Sequence, residues 1–258
     1  MSMDLPLAAA TVPRLELVAH TGSTNADLRT NADDAVGWPH LSTLVTRNQT
    51  AGRGRLDRAW VAPEGSALAI SVLLRALPAH PSARSWIPLV AGLAMSEAIA
   101  DQLPGHDVAV KWPNDVLVDG RKICGILAEA TTEAVIVGAG VNTAMTIEQL
   151  PVPTATSFAS LGVDVDEDRL LAAYLERLGG RLSALTAAED AVASGLHAAV
   201  SARCATLGRA VRVSMPADRI LEGVATAIDA DGRLLVESDG AEHPISAGDV
   251  VHVRATGS

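Results

Sequence analysis

The residues best suited to chemistry form a short basic stretch, Arg47 to Trp60, which reads RNQTAGRGRLDRAW. It holds four arginines and one acid, Asp57, in a chain whose formal net charge is −10. Glycines alternate with the arginines, and glycine lets a backbone approach a ligand closely. Guanidinium groups bind phosphates and carboxylates through paired hydrogen bonds. The stretch therefore predicts an anion-binding loop, and the alternative is a solvated basic loop.

Two polar segments stand at the ends of apolar runs. In HTGSTNADLR, Ser23 or Thr24 can cap a helix, and a helix N-terminus can also bind an anion. GAGVN, which ends at Asn142, closes an apolar strand on an amide. As a dinucleotide fingerprint GAGVN is weak, because no helix with a third glycine follows in register. The chain also has no GxxxxGK[ST] phosphate-binding motif.

Two lysine segments follow. KWPNDV places Lys111, Asn114 and Asp115 within five residues at the end of a strand. GRKICGIL carries Lys122 and interrupts an apolar strand with Gly125, which often marks the close approach of a ligand or another backbone. The alternatives are a decorated surface turn for the first segment and a charge at a hairpin tip for Lys122.

These segments need a scaffold of strands and helices. Apolar runs bounded by turn residues predict strands over 15–19, 42–47, 67–75, 108–112, 116–118, 123–130 and 134–141. Helical spacing predicts a helix that starts near Ser23 and helices over 86–103, 164–185 and 188–207. Residues 1 to about 13 are expected to form a loose arm. Because strands follow one another and helices are few, the pattern indicates an α+β fold with a mixed or antiparallel sheet.

The last 50 or so residues differ in character. Short strands are predicted over 210–215, 221–229, 233–237, 243–246 and 250–254, separated by Asp-Gly and Gly-Asp turns. Such a run predicts a small β-barrel. We place the boundary near Thr206, which gives a catalytic domain over 1–206 and a barrel domain over 207–258.

Bulk properties exclude several classes of protein. The acidic net charge argues against a nucleic-acid partner. Cys124 and Cys204 lie far apart without metal-ligand spacing, which favours free thiols in a reducing cytoplasm. The N-terminus has no signal-peptide pattern, and no apolar run is long enough to span a bilayer. We therefore expect a cytoplasmic protein with no membrane partner.

In chain order, STN, QTAGRGRLDRAW, KWPNDV, GRKICGIL and GAGVN resemble the biotin–protein ligases. The resemblance runs from about His20 to Asn142, and the pairing of GRGR…W with KWPND is its most specific part. It implies a class II aminoacyl-tRNA synthetase-like α+β domain followed by an SH3-like barrel. It also implies that ATP and biotin form biotinyl-5′-AMP and pyrophosphate, and that biotin then passes to one lysine of a biotin carboxyl carrier domain of an acyl-CoA or pyruvate carboxylase. Because only 14 residues precede the first predicted strand, we expect the monofunctional type without an N-terminal DNA-binding domain.

The resemblance also implies roles for individual residues. Biotin would be bound by Ser23, Thr24, Asn25, Gln49, Arg53, Gly54, Arg55, Lys122 and Gly125. ATP or the adenylate would be bound by Arg53, Arg55, Arg58, Trp60, Lys111, Asn114 and Asn142, with Trp60 as the face on which adenine stacks. The catalytic residues would be Arg55, Lys111, Asp115 and Lys122, and Asp115 would orient the incoming lysine amine or accept its proton. Mg²⁺ is expected with ATP, although no clustered carboxylates predict a metal site built by the protein.

Some questions stay open at this point. The family's loop is often more basic after GRGR, whereas Leu56 and Asp57 stand there in this chain. A lipoate–protein ligase-like acyltransferase shares the fold and the acyl-adenylate chemistry, and GRGR favours biotin over it. A non-catalytic adenylate-binding regulator is a second alternative, which the acidic charge disfavours. The protein is expected to be a monomer or a weak homodimer, and its glycine-arginine loop is expected to order only when the adenylate arrives.

Overall fold

The computed structural model describes residues 4–215, 219–246 and 248–253. A seven-stranded mixed sheet forms its centre, in the order β1-β2-β5-β9-β8-β7-β6. β1 and β2 are parallel, and every other neighbouring pair in this sheet is antiparallel. A separate two-stranded ribbon pairs β3 with β4. The strands are β1 Leu15–Leu17, β2 Ser42–Thr46, β3 Gly52–Arg53, β4 Ala59–Trp60, β5 Ala67–Leu74, β6 Val108–Lys111, β7 Asp115–Val118, β8 Arg121–Ala130 and β9 Val135–Asn142.

Six helices accompany the sheet in the described part of the chain. They are α1 Pro6–Thr11, α2 Thr24–Thr30, α3 Pro81–Arg84, α4 Ile87–Ala100, α5 Glu167–Ala188 and α6 Leu196–Arg203. Helix α4 is apolar on nearly all sides because it packs between the sheet and α5. Asp166 caps the start of α5, since its carboxylate accepts the Arg169 N–H at 3.0 Å, and the helix buries a stripe of leucines. No helix in the ranges given above is long and apolar enough to cross a membrane.

The expected loose arm is wrong for the described residues 4 to 13. Helix α1 buries Leu5, Ala8 and Val12 against the core. The Asp168 carboxylate on α5 accepts the N–H groups of Leu7 and Ala8 at 2.9 and 2.8 Å. The cap that satisfies the first turn of α1 thus comes from about 160 residues further along the chain, so the local sequence could not reveal it.

The helix predicted over 188–207 is also wrong at both ends, because residues 189–195 and 204–207 are not helical. Helix α5 continues to Ala188 and ends at Glu189, which has a φ of 54°. A turn follows, and α6 begins only after Gly195, which has a φ of 76°. The Glu189 carboxylate accepts the N–H groups of Ala79 and His80, so this turn is fastened to the segment before α3.

The C-terminal region forms a five-stranded antiparallel sheet in the order β13-β12-β11-β10-β14. Its strands are β10 Ala210–Met215, β11 Arg219–Ile228, β12 Leu234–Ser238, β13 Ala241–Ile245 and β14 Asp249–His252. The structure confirms the predicted α+β class and the small all-β region, while Arg254, the predicted end of the last strand, lies outside the described residues. Two buried tryptophans join the two regions, since Trp86 and Trp112 donate their indole N–H groups to Ala230 and Gly232 carbonyls at 2.8 and 2.9 Å.

Candidate functional site

A cavity that is open to solvent lies on the face of the central sheet. Its floor is a row of cross-strand neighbours, in which Asp115 pairs with Gly125, Gly125 with Gly140, and Gly140 with Ala69. A second row, two residues further along, joins Leu127, Gly138 and Ser71. Five members of these two rows are small residues, namely Ala69, Ser71, Gly125, Gly138 and Gly140.

Two of the floor glycines are required by what lies on them. A Cβ atom at Gly138 would stand 2.5 Å from Asn25 Oδ1, and one at Gly140 would stand 2.5 Å from the Trp60 ring. Those separations are far below van der Waals contact. Glycines in the middle of a β-strand thus let the first turn of α2 and the indole of Trp60 settle onto the sheet.

The polar end of the cavity is built by α2 and the segment after β2. Ser23 caps α2 by accepting the Ala26 N–H at 3.4 Å, as predicted. Gln49 Oε1 accepts the N–H of Thr24 at 2.9 Å and lies 3.0 Å from the Thr24 hydroxyl. Asn25 lies beside them and is 7% exposed. This end offers amide and hydroxyl groups in an otherwise buried setting, which suits a polar uncharged ring.

The charged end is built by β7, β8 and the turn before β7. Lys122 Nζ lies 2.6 Å from Asp115 Oδ1. Arg55 donates to Asn114 Oδ1 at 2.9 Å, and the Asn114 amide donates to the Ile126 carbonyl at 2.7 Å. Burial lowers the pKa of Arg55, and the charges of Asp115 and Asp249 oppose that shift. A carboxylate or phosphate that enters here meets two cations, one of them partly stripped of water.

Lys122 is not a hairpin-tip charge, which corrects the alternative considered for it. The tip of the β7–β8 hairpin is Asp119-Gly120, with φ values of 50° and 75°. Lys122 lies inside β8, and its side chain lines the cavity above Gly125. The side chain is held there by the ion pair with Asp115.

The glycine-arginine segment is a β3–β4 ribbon closed by a short 3₁₀ turn. Arg58 makes two hydrogen bonds to the Asp249 carboxylate, at 2.5 and 3.3 Å, and this guanidinium holds the pKa of Asp249 below its ordinary value. Arg55 also donates to the Gly248 carbonyl at 2.9 Å. The premise that only an anion would hold this segment is therefore wrong, because the C-terminal sheet holds it too. Its ordering by the adenylate stays a prediction.

Arg47 belongs to a different contact from the other arginines of the stretch. Its guanidinium pairs with Glu167, a buried acid at the start of α5. It does not line the cavity. The local positive charge read from the sequence is accordingly reduced, since Arg47 and Arg58 both have carboxylate partners.

The cavity brings together most of the residues singled out in the sequence. Those that line it are Ser23, Thr24, Asn25, Gln49, Arg53, Gly54, Arg55, Arg58, Trp60, Asn114, Asp115, Lys122 and Gly125. Lys111 does not line it but lies close enough for its charge to lower the pKa of Asp249. Asn142 also lies outside the lining, and its buried amide donates to the Thr156 carbonyl at 2.9 Å.

Sequence reasoning missed several residues of the cavity. Asp249 had no signal, because it reaches the site from the C-terminal sheet. Gly138 and Gly140 were read as a weak nucleotide motif, although alternate glycines in a strand could have indicated a surface on which side chains rest. The apolar part of the lining comes from Leu56, Ala59, Ala69, Ile70, Ile126, Leu127 and Ala139.

Two regions of the chain match models of known protein families. Residues 19–142 match the Biotin/lipoate A/B protein ligase family, and residues 206–253 match the Biotin protein ligase C terminal domain. The biotin–[acetyl-CoA-carboxylase] ligase of Mycobacterium tuberculosis is 38% identical over 244 residues, which cover 93% of this chain and 90% of that protein. The bifunctional ligase/repressor BirA of Escherichia coli is 31% identical over 80% of this chain, and the match spans 64% of BirA. The structure of the biotin protein ligase from Aquifex aeolicus in complex with biotin and ATP superposes with a TM-score of 0.77 at 25% identity, covering 95% of this chain and all of that one.

Proposed function

The chain belongs to the biotin protein ligase family, and on that premise we propose that it activates biotin with ATP and then transfers the biotinyl group to a carrier lysine. One observation supports this most directly. A single cavity joins a polar uncharged end, at Thr24, Asn25 and Gln49, to a cationic end at Arg55 and Lys122. A ligand with a cyclic urea at one end and a carboxylate at the other matches both ends.

Biotin is bound with its ureido ring at the polar end, against Ser23, Thr24, Asn25 and Gln49. The ring and its aliphatic chain then follow the apolar lining, which includes Ile70 and Ile126. The chain passes close to Gly125, which has no side chain of its own and over which the Lys122 side chain lies. The carboxylate arrives at Lys122, with Arg53, Gly54 and Arg55 closing over it.

Activation brings a carboxylate against a triphosphate, so two anions must be held together. A carboxylate oxygen of biotin attacks the α-phosphorus, and the bond from the α-phosphorus to the bridging oxygen breaks, releasing pyrophosphate. Lys122 and Arg55 stabilise the charge on the α-phosphoryl oxygens, and Arg53, Arg58 and Lys111 bracket the leaving phosphates. Holding the reactants aligned supplies about 7–11 kcal/mol of barrier reduction in favourable cases.

The nucleoside of ATP is assigned to the rim formed by β3 and β4. Trp60 rests on Gly140 with part of its indole exposed, so it offers a face on which adenine can stack. Asn114 holds Arg55 toward the phosphates. Asn142 contributes from outside the cavity lining, by fixing the end of β9 against Thr156.

Transfer needs an amine in its uncharged form beside the adenylate. The ε-amine of the carrier lysine attacks the acyl carbon, AMP leaves, and one proton leaves the amine. Asp115 orients that amine and accepts its proton, since its carboxylate lies at the cavity floor next to Lys122. The partner is a biotin carboxyl carrier domain of an acyl-CoA or pyruvate carboxylase.

Further assignments complete the proposal. Mg²⁺ enters with ATP, which carries the cation on its phosphates. The described residues hold no group of three or more His, Cys, Asp or Glu side chains around a metal position, and no step above depends on one. Cys124 and Cys204 are free and buried, which supports a reducing, cytoplasmic location. The division into a catalytic domain over 1–206 and a C-terminal domain over 207–258 belongs to the same proposal.

Pyrophosphate exchange tests the activation step. Incubated with ATP and labelled pyrophosphate, the protein should return label to ATP only when biotin is present. Lipoate in place of biotin separates the two acyl-adenylate chemistries of this family. Exchange that depends on lipoate and not on biotin would overturn the proposal in favour of a lipoate ligase.

A further inference from the structure

Glu129 does not line the cavity, yet it ends a chain of hydrogen bonds that reaches the cavity wall. Its Oε2 accepts from Asn25 Nδ2 at 2.7 Å, and its other oxygen pairs with the guanidinium of Arg29. Asn25 and Arg29 lie four residues apart on α2 and so share one face of that helix. On the other side of Asn25, its Oδ1 lies 2.5 Å from the hydroxyl of Ser71, which is fully buried in β5. The Ser71 hydroxyl in turn lies 2.7 Å from the Thr24 hydroxyl.

We propose that Glu129 is a positioning residue, which sets the direction of this hydrogen-bond chain and thereby makes the polar end of the cavity select a ring that carries N–H donors. The inference rests on the proposed function, because the ring in question is the cyclic urea of biotin. It adds a residue outside the cavity that decides which hydrogen-bonding pattern the cavity presents.

The direction follows from counting protons. An ionised carboxylate only accepts hydrogen bonds, so Asn25 must turn its NH₂ group toward Glu129. The Asn25 carbonyl oxygen then faces Ser71, whose single hydroxyl proton must go to it. The Thr24 hydroxyl proton has two acceptors within reach, Ser71 Oγ at 2.7 Å and Gln49 Oε1 at 3.0 Å. It goes to Ser71, because that contact is the shorter one and no other proton is left for it.

The direction of the hydrogen-bond chain decides which atoms face the cavity. With its proton committed to Ser71, the Thr24 hydroxyl presents lone pairs, and Asn25 presents its carbonyl oxygen. Gln49 Oε1 remains satisfied by the Thr24 N–H at 2.9 Å. This wall of the cavity therefore accepts hydrogen bonds, which fits the two N–H groups of a cyclic urea. The dithiolane ring of lipoate has no N–H group, so it forms no hydrogen bond with this wall.

Glu129→Gln is the sharpest test, because it keeps the shape and removes the acceptor-only character. Arg29 draws the carbonyl oxygen of the new amide, so its NH₂ group faces Asn25. Asn25 then turns over, presents its NH₂ group to Ser71 and the cavity, and reverses the chain. We expect the KM for biotin to rise at least about tenfold, while the KM for ATP and the kcat at saturating biotin change by less than about twofold.

A second readout separates positioning from general damage. Biotin is compared with an analogue methylated on one ureido nitrogen. Calorimetry gives the ratio of the two dissociation constants, that of the analogue divided by that of biotin. In the wild-type protein the analogue binds more weakly, and in Glu129→Gln the two ligands should bind alike. A merely structural role would weaken both ligands equally and leave the ratio unchanged.

Two further variants complete the design. Glu133→Gln makes the same charge change on an exposed residue of the turn after β8, and it should match the wild type in both readouts. Ser71→Ala breaks the chain in its middle, frees the Thr24 proton, and should lower the ratio even if Glu129→Gln fails to fold. An unchanged biotin KM or an unchanged ratio in both Glu129→Gln and Ser71→Ala overturns the inference. If the wild-type protein binds no biotin, the proposed function fails instead.

Discussion

The ion pair of Lys122 and Asp115 places two chemical roles within 2.6 Å of each other. Lys122 belongs to activation, because its charge meets the anions of biotin and ATP. Asp115 belongs to transfer, because a carboxylate can hold an incoming amine. When the substrates draw the ammonium away, the carboxylate becomes available for the second step. Substitutions at the two positions should therefore affect different half-reactions.

Lys122→Ala should reduce biotin-dependent ATP–pyrophosphate exchange by about 100-fold or more, as expected when a preorganised charge is removed from a transition state. The fold should survive, because the side chain is 42% exposed and lies at the cavity. Arg121→Ala is the matched control, since Arg121 is the exposed neighbour on the same strand. Exchange near the wild-type rate in Lys122→Ala would remove this residue from the activation step.

Asp115→Asn should slow transfer more than activation. Loss of a general base costs on the order of 10²- to 10⁴-fold in rate, and the amide cannot accept the proton of the amine. The measurement supplies pre-formed biotinyl-5′-AMP and follows single-turnover transfer to the carrier domain, alongside pyrophosphate exchange. Normal transfer with slowed exchange would assign Asp115 to holding Lys122 in place.

At the scale of elements, β9 determines how closely the walls of the cavity approach its floor. Gly138 and Gly140 point to the same face of the strand, because side-chain positions alternate along it. One supports Asn25 of α2, and the other supports Trp60 of β4. A helix and a ribbon from distant parts of the sequence thus meet over a single strand that has no side chains at the contact points.

Gly140→Ala should displace the Trp60 indole, because the added Cβ would stand 2.5 Å from the ring. Overpacking of this kind costs about 1–3 kcal/mol of folding stability. We expect a higher KM for ATP with a smaller effect on the KM for biotin. Steady-state kinetics with each substrate varied will check this.

Gly180→Ala is the control for Gly140→Ala, since nothing lies within 4 Å of a Cβ at that helical position. It should leave both Michaelis constants unchanged. A Gly140→Ala protein with wild-type kinetics would show that Trp60 does not form the adenine site.

At the scale of the whole molecule, the C-terminal sheet takes part in both packing and the site. Trp86 and Trp112 are buried at the junction and use carbonyls of the C-terminal region as hydrogen-bond acceptors. Arg58 of the glycine-arginine segment is paired with Asp249 at the start of β14. The hydrophobic core is continuous across this junction.

Removing the chain from Gly208 onward should therefore destabilise the rest of the protein and disturb the site. Exposing two large buried side chains costs on the order of 1.5–3 kcal/mol each. We expect the truncated protein to keep its helical circular dichroism but to unfold at a lower temperature and to lose pyrophosphate exchange. Thermal unfolding followed by far-UV circular dichroism checks this. A truncated protein as stable as the full chain would show that the junction contributes nothing.

Much of the site could be predicted from the sequence, because its charged and amide residues stand in short, specific motifs such as GRGR and KWPND. Most strands of the central sheet could be predicted too, since they are compact apolar runs, but the β3–β4 ribbon could not, because Gly52–Arg53 is not apolar. Contacts between residues that lie far apart in the sequence could not be predicted. Ser71 meets Asn25 across 46 residues, Glu129 meets Asn25 across 104, and Asp249 meets Arg58 across 191. A local sequence pattern does not indicate which distant side chain a buried hydroxyl or a partly exposed acid will contact.

The complete reaction is the most direct test of biotin transfer by this protein. The full chain is incubated with ATP, biotin and a purified biotin carboxyl carrier domain, and the carrier is analysed by intact-mass and peptide mass spectrometry. We expect one biotinyl group on one lysine, formed only when ATP and biotin are both present and formed much more slowly by Lys122→Ala. A carrier that stays unmodified, or that is modified without ATP, would contradict the assignment of this cavity to biotin activation and transfer.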